Sequence, residues 1–279
     1  MTPMAEYPHV WQRATVILVV AVAVVFFTLP VWLTLVWSTW HDGQIFSFPP
    51  HLLPGPYLFS NLRALAGAAN IWRAVLNSVV VGVVSAGAAV VASTCAGYAF
   101  AKFRFRGQNF LFYMFLAAYA IPGQISAIPL FIVMAHLGWI DTYQAVILPA
   151  AVPAMGLFFM RSTITQIVPT EMIEAARLDG AGEFRIVRTM VAPTVLPNAA
   201  SLGVLLFSLS WSNLFWPLVV LRSNQMATVP VALVGLIGTY TQPYGELMAG
   251  AAVGAIVPML LFIPLRRYFV RGIVINATR

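Results

Sequence analysis

Long apolar stretches separated by short polar ones dominate this chain. A helix needs about 20 residues to cross a hydrocarbon core about 30 Å thick. Stretches of that length predict six membrane spans, at about residues 14–37, 73–98, 109–134, 144–164, 198–220 and 247–265. The pattern therefore predicts an all-α polytopic membrane protein, with an N-terminal segment over residues 1–13, one transmembrane domain over 14–272 and a short tail over 273–279.

Composition and charge agree with a membrane protein. Of the 279 residues, 61% are hydrophobic and 8% are charged, whereas soluble domains carry about 25% charged residues. The net charge of +7 could suggest nucleic-acid binding, but the positions of the basic residues indicate membrane orientation instead. If the N-terminus is cytoplasmic, 12 of the 15 basic residues fall on the cytoplasmic side, as the positive-inside rule requires: Arg13, Lys102, Arg104, Arg106, Arg161, Arg177, Arg185, Arg188, Arg266, Arg267, Arg271 and Arg279. Both termini are therefore predicted to be cytoplasmic.

The sequence offers no energy source of its own. Ion-coupled carriers keep ionisable groups inside the membrane, and none of the eight acidic residues or four histidines falls in the middle of a predicted span. A phosphate-binding P-loop needs Lys followed by Ser or Thr, but Lys102 is followed by Phe103. No nucleophile–base pair or metal-type spacing of His and Cys is present either. We expect no catalytic residue, metal or cofactor on this chain.

The one long charged segment, from Arg161 to Arg188, has helical character. Its pattern predicts a short amphipathic helix after Pro169, in which Glu174 and Arg177 stand at a spacing where side chains interact. Gly180 suits a left-handed cap at the end of that helix. A second short helix is predicted from Gly182 to about residue 191, ended by Pro193. Such a pair of helices could dock a soluble protein; the alternative is a solvated loop.

Glu174-Ala-Ala followed by Gly180 and Pro193 resembles the EAA loop of ABC-importer permeases. In that family the loop forms a coupling helix that fits a cleft on a separate ATP-hydrolysing subunit, which binds ATP and Mg²⁺. We call residues 165–193 the coupling loop. The resemblance implies that ATPase coupling rests on Glu174, Ala175, Ala176, Arg177, Asp179, Gly180 and Ala181. Gly182 departs from the pattern, because a serine usually stands there.

Two polar interruptions of the spans are candidates for a substrate path. Proline and glycine break span three, and freed backbone groups are tolerated in a membrane where protein or water satisfies them. Aromatic faces beside amides and hydroxyls in span five suit an uncharged polyhydroxylated ligand. The candidates are Gln124, Ser126, Ser208, Trp211, Asn213 and Trp216. The alternatives are a proline kink needed for packing, an aromatic belt at the interface, and polar contacts between helices.

A wider resemblance extends over most of the chain. Residues 97–107, 121–124, 141–143, 211–213, 215–218 and 267–272 look like the maltose-type carbohydrate permeases, in the subunit with six spans. Span five departs from that family, which usually has Trp-Asn-Glu or Trp-Asn-Asp where this chain has Trp211-Ser-Asn213.

This wider resemblance implies the fold of a type I ABC-importer permease in a bacterial cytoplasmic membrane. Its implied partners are a second permease subunit, two copies of a cytoplasmic ATP-binding subunit, an extracytoplasmic solute-binding protein and a sugar, polyol or sugar-phosphate substrate. Loops 38–71 and 221–246 would meet the binding protein. A permease for a non-sugar solute, a stand-alone secondary carrier and a scaffold that moves nothing are the alternatives.

Overall fold

In a computed structural model, residues 10–237 and 243–277 are described, and every regular element among them is helical. The first seven helices are α1 (Val10–Trp37), α2 (Asp42–Ile45), α3 (Leu58–Ala69), α4 (Ile71–Lys102), α5 (Gln108–Ala120), α6 (Ala127–His136) and α7 (Tyr143–Ala150). The second seven are α8 (Ala154–Ile167), α9 (Thr170–Leu178), α10 (Glu183–Ile186), α11 (Ala192–Trp211), α12 (Phe215–Val220), α13 (Val229–Val234) and α14 (Tyr244–Ala277). The prediction of an all-α protein is confirmed.

Three helical stretches in the described part of the chain are long and apolar enough to cross a membrane. They are Thr15–Trp37, Ile71–Lys102 and Glu183–Trp211. A fourth is added if α7 and α8, which meet at a bend of 41°, count as one span. Length and composition thus give three or four spans, and the count of six stays a prediction.

The predicted third span is divided into two short helices. Helix α5 ends at Ala120, and Ile121 takes an extended backbone conformation (φ −77°, ψ 122°). The ring of Pro122 disfavours helical geometry for the residue before it, which explains the end of α5 at this point. The last predicted span also differs in extent, because α14 continues to Ala277, well past residue 265. Residues 1–9 of the predicted N-terminal segment lie outside the described residues.

One compact unit consists of the described residues within 1–68 and 236–255. Three tryptophans near the end of α1 hold the loop that follows. The indole N–H groups of Trp32, Trp37 and Trp40 donate hydrogen bonds of 3.2, 3.2 and 2.9 Å to the backbone carbonyls of residues 52, 51 and 53. The buried Asn61 amide donates to the carbonyls of residues 38 and 40, both at 2.9 Å. The loop is therefore fixed mainly through its backbone.

The other unit consists of the described residues within 69–235 and 256–279 and is organised around α4. Helix α4 packs against α8 and α11, and glycines allow the close approach. A Cβ atom added to Gly97 would lie 2.8 Å from the backbone nitrogen of Arg161, and one added to Gly156 would meet the hydroxyl of Ser93. Small residues at such positions let helix backbones approach each other in membranes.

The prediction that Pro193 ends a short helix is wrong. Helix α10 continues through a π-helical turn, Val187–Val191, directly into α11. Proline lacks an N–H group and its ring clashes with a carbonyl one turn earlier in a regular helix. The wider π turn, in which the N–H of Ala192 bonds to the carbonyl of Val187, lies directly before Pro193. The regular hydrogen-bond ladder is thus already interrupted where the proline lacks an N–H group.

Candidate functional site

The coupling loop contains a helix with a well-defined end. Helix α9 follows Pro169 and ends at Leu178. Gly180 has φ +78°. Its N–H donates to the carbonyl of Arg177, and the N–H of Ala181 donates to the carbonyl of Ala176, both at 3.0 Å. These two bonds form a Schellman motif, in which a left-handed glycine closes the helix. The predicted left-handed cap at Gly180 is confirmed.

Helix α9 presents one face to the protein and another to its surroundings. Ile173 and Ala176 are buried, whereas Glu174 and Ala175 are exposed. Two large apolar side chains flank the turn, with Leu178 at 89% and Phe184 at 79% exposure. Sequence reasoning missed both, although two apolar residues around a polar turn were a visible signal. Grouped apolar exposure of this kind marks contact surfaces.

Arg177 forms an ion pair that the sequence spacing did not indicate. Its Nε donates to Glu183 Oε1 at 2.7 Å, and no ion pair to Glu174 occurs among the described residues. This hydrogen bond to Glu183 raises the pKa of the Arg177 guanidinium. Its guanidinium carbon also lies 5.0 Å from the centre of the Phe103 ring, which favours the cation further. Arg177 is therefore directed inwards, while Glu174 remains exposed.

The beginning of the coupling loop is also attached to α4. Lys102, at the end of α4, donates from Nζ to the carbonyl of Val168 at 2.7 Å and to the hydroxyl of Thr170 at 3.1 Å. These bonds link the end of α4 to the first residue of α9. The loop is thus tied to α4 near both ends of α9.

The structure places the candidate substrate-path residues in different surroundings. Gln124 and Ser126 are exposed in the break between α5 and α6, and Asn213 is exposed in the break between α11 and α12. Ser208 bonds back to the carbonyl of Val204 in its own helix, at 2.9 Å. A common lining remains a prediction.

The two tryptophans of this set lie in packed surroundings. Trp211 is buried, with its ring centre 5.8 Å from that of Phe207. The indole N–H of Trp216 donates to the carbonyl of Ala145 at 2.8 Å. This bond attaches α12 to α7, so Trp216 has a structural partner in addition to its predicted role.

A polar cluster outside the predicted site residues connects two loops to α4. Asp141 has φ +61°, and its Oδ1 accepts hydrogen bonds from the backbone N–H groups of Arg222 at 2.9 Å and Ser223 at 3.1 Å. The fully buried Asn77 donates to two backbone carbonyls, of residues 225 and 227, and accepts from the Tyr143 hydroxyl at 2.7 Å. These contacts hold loops 137–142 and 220–228 together.

Replacing Asp141 with asparagine should reduce stability in a pH-dependent way. Burial by itself raises the pKa of Asp141. The hydrogen bonds from Arg222 and Ser223 and the charge of Arg222 outweigh this effect, so the net pKa lies below its ordinary value. The stabilisation is thus complete above the unfolded pKa of about 3.9 and is lost as pH falls through the lower folded pKa. Asparagine keeps the acceptor oxygen without the charge, so we expect a loss of about 1 kcal/mol at neutral pH.

The measurement is thermal unfolding of wild type and Asp141→Asn in detergent, from pH 7 down to the lowest pH at which wild type stays folded. The difference in melting temperature should shrink as pH falls below about 4. A difference that stays constant over this range would contradict the assigned role of the charge.

The described structure is that of a helical membrane protein with a capped helix that presents charged and apolar side chains in a polar loop. Residues 88–274 match the family of binding-protein-dependent transport system inner membrane components. The chain belongs to this family of ABC-importer permeases, which are multi-pass inner-membrane proteins.

Curated relatives agree with this assignment. An arabinooligosaccharides transport system permease protein, AraQ of Halalkalibacterium halodurans, is 38% identical over 208 residues, 75% of this chain and 74% of that protein. An sn-glycerol-3-phosphate transport system permease protein, UgpE of Brucella melitensis biotype 1, is 32% identical over 266 residues, 92% of this chain and 94% of that protein.

A solved structure has the same fold. It belongs to a bacterial ABC transporter involved in the import of the acidic polysaccharide alginate, and the match has a TM-score of 0.75 with 22% identity. The match covers 96% of this chain and 99% of the other. At this identity the similarity establishes the fold alone, and the prediction of a type I ABC-permease fold is confirmed.

Proposed function

We propose that this chain forms half of the translocation path of an ATP-driven importer for a sugar, a polyol or a sugar-phosphate. The relatives named for arabinooligosaccharide and glycerol-3-phosphate transport support this substrate class. The observation that carries the mechanism is the surface of the coupling loop. Its capped helix α9 exposes Glu174, and Leu178 and Phe184 are exposed beside the turn that follows. A charge together with exposed apolar side chains supplies both orientation and buried area to a soluble partner.

The proposed partners follow from this surface and from the family. A second permease subunit completes the path, two copies of a cytoplasmic ATP-binding subunit dock on the coupling loops, and an extracytoplasmic binding protein delivers the solute. The ATP and Mg²⁺ are held by the ATP-binding subunits. Membrane lipid surrounds the helices, and nucleic acid has no part.

The proposed orientation places both termini and the coupling loop in the cytoplasm, where ATP is available. The distribution of basic residues supports this orientation. Closure of the ATP-binding subunits would then move the coupling loop, and alternating access would follow from two arrangements of the helices around the path. Differential binding of the ATP-binding subunits to these arrangements would shift their populations.

Glu174→Lys tests the proposal in proteoliposomes that contain the complete importer with its binding protein. We expect ATP-dependent uptake of an arabinooligosaccharide or of glycerol-3-phosphate by wild type. Uptake should fall about tenfold or more in Glu174→Lys, because reversing a charge in an interface costs on the order of 1.4 kcal/mol or more. The neutral variant Glu174→Gln is the matched control and should fall less.

Membrane insertion should be the same in all three proteins, measured as the amount of subunit in the membrane fraction. Unchanged uptake by Glu174→Lys would contradict the docking role. Solute accumulation by vesicles that hold only this chain, without nucleotide, would favour the carrier alternative.

A further inference from the structure

Three helices meet at the carboxylate of Glu183. One oxygen, Oε1, accepts the bond from Arg177 near the end of α9, at 2.7 Å. The other, Oε2, accepts a hydrogen bond from the hydroxyl of Tyr98 in α4, at 2.5 Å. Glu183 itself is the first residue of α10. A single side chain therefore joins α9 and α4 through charge-assisted hydrogen bonds, which are the stronger kind.

The aromatic side chains at the end of α4 complete this contact. Tyr98 is 3% exposed, so its hydroxyl reaches Glu183 from a packed position. The rings of Tyr98 and Phe103 meet edge to face with centres 5.6 Å apart, and the Arg177 guanidinium lies over Phe103. Arg177 thus contacts both the carboxylate and the aromatic pair. We call Tyr98, Phe103, Arg177 and Glu183 the α4–α9 joint.

The joint attaches α9 to α4. The polypeptide between Leu178 and Glu183 is a short turn with a left-handed glycine. The side chains of the joint, together with the bonds of Lys102 to residues 168 and 170, attach α9 directly to α4. Helix α4 in turn packs along α8 and α11. A displacement of α9 can therefore reach α8 and α11 through α4, in addition to the covalent route from α10 into α11.

We infer that Glu183 is a positioning residue that transmits the movement of α9 to α4, and that without it the partner's ATP hydrolysis is uncoupled from transport. This inference rests on the proposed docking of the coupling loop. It concerns a different step, because the joint faces the membrane domain and the docking surface of Glu174, Leu178 and Phe184 is on the exposed side. Arg177 belongs to the joint rather than to that exposed surface.

The test uses the complete importer in proteoliposomes, with Glu183→Ala, Tyr98→Phe and the double variant. Two quantities are measured for each: the amount of ATP-binding subunit that copurifies with the permease, and the amount of solute transported per ATP hydrolysed. We expect unchanged copurification and at least about a fivefold lower transport ratio in Glu183→Ala, in the range of ordinary coupling between sites. The double variant should equal Glu183→Ala, because both changes break one path.

Tyr113→Phe is the control for loss of a hydroxyl group, since Tyr113 is 66% exposed on α5 and outside the joint. Its transport ratio should equal that of wild type. The swap Arg177→Glu with Glu183→Arg should recover part of the ratio that Arg177→Glu alone loses. A purely structural role would lower the amount of folded permease without changing the ratio per ATP.

Two results would overturn the inference while leaving the proposed function intact. One is a loss of copurification in Glu183→Ala, which would make Glu183 a docking residue. The other is an unchanged transport ratio in both single variants. The inference would also be overturned if the losses of transport ratio in the two single variants multiplied in the double variant, because Glu183 and Tyr98 would then act through separate paths. Unchanged uptake by the Glu174→Lys variant would instead refute the proposed function itself. If Glu183→Ala does not accumulate, Tyr98→Phe, which removes one oxygen atom, decides the matter.

Discussion

Gly180→Trp should abolish most ATP-dependent uptake while the subunit still inserts into the membrane. Gly180 is exposed at the turn after α9, and no heavy atom lies within 4 Å of a Cβ atom added there. The indole would therefore project outwards, into the space that an ATP-binding subunit would occupy. We expect uptake to fall by roughly 5- to 150-fold, because overfilling a tightly packed contact costs about 1–3 kcal/mol.

Gly180→Ala is the control that separates the effect of the indole's bulk from the effect of backbone strain. At φ +78° any L-residue costs about 1–2 kcal/mol, so both variants carry the strain and only one carries the bulk. Uptake by proteoliposomes with the complete importer should be clearly lower for the tryptophan variant than for the alanine variant. Equal uptake by the two would show that the turn is not part of a tight interface.

Gly97→Ala adds a single methyl group, but it should clearly destabilise the packing of α4 against α8. The added Cβ would lie within 2.9 Å of backbone atoms of Met160 and Arg161, and backbone cannot move aside as a side-chain tip can. Helices α4 and α8 must separate, at a cost of about 1–3 kcal/mol. The melting temperature of the detergent-purified protein should fall by roughly 2–12 °C.

Gly87→Ala is the matched control, since it lies in the same helix with nothing within 4 Å of its added Cβ. It should leave the melting temperature unchanged or raise it, because alanine favours a helix by up to about 1 kcal/mol over glycine. A similar decrease in both variants would mean that helix α4 is sensitive to glycine replacement in general. Close packing at Gly97 would then not be the cause.

Sequence reasoning succeeded where a local rule decides the structure. The break after Ala120 follows from the fixed geometry of Pro122, and the end of α9 follows from the tolerance of glycine for positive φ. Both need only neighbouring residues. Pro193 was misjudged because a π turn can accommodate a proline, and nothing in the adjacent residues announced that turn. The roles assigned to Glu174 and its neighbours remain predictions, since they depend on a partner.

The α4–α9 joint could not be predicted from spacing alone. Tyr98 and Glu183 are 85 positions apart, and their meeting depends on how α4 packs in the bundle. The spacing of Glu174 and Arg177 favoured a local pair worth about 0.2–0.5 kcal/mol, and the tertiary contact with Glu183 and Phe103 prevailed. The exposure of Leu178 and Phe184 also ran against expectation, because an apolar side chain beside an amphipathic helix is expected to face inwards.

The tryptophan contacts after α1 have a consequence for evolution. Their indole groups bind backbone carbonyls of residues 51–53, and every amino acid supplies the same carbonyl. Leu52 and Leu53 are 57% and 74% exposed, so mutations at these two positions can accumulate without loosening the attachment. His51 differs, because its ring also stacks on that of Trp40 with centres 3.8 Å apart. Homologues that keep the tryptophans can therefore vary the side chains of residues 52 and 53 while inheriting the same scaffold.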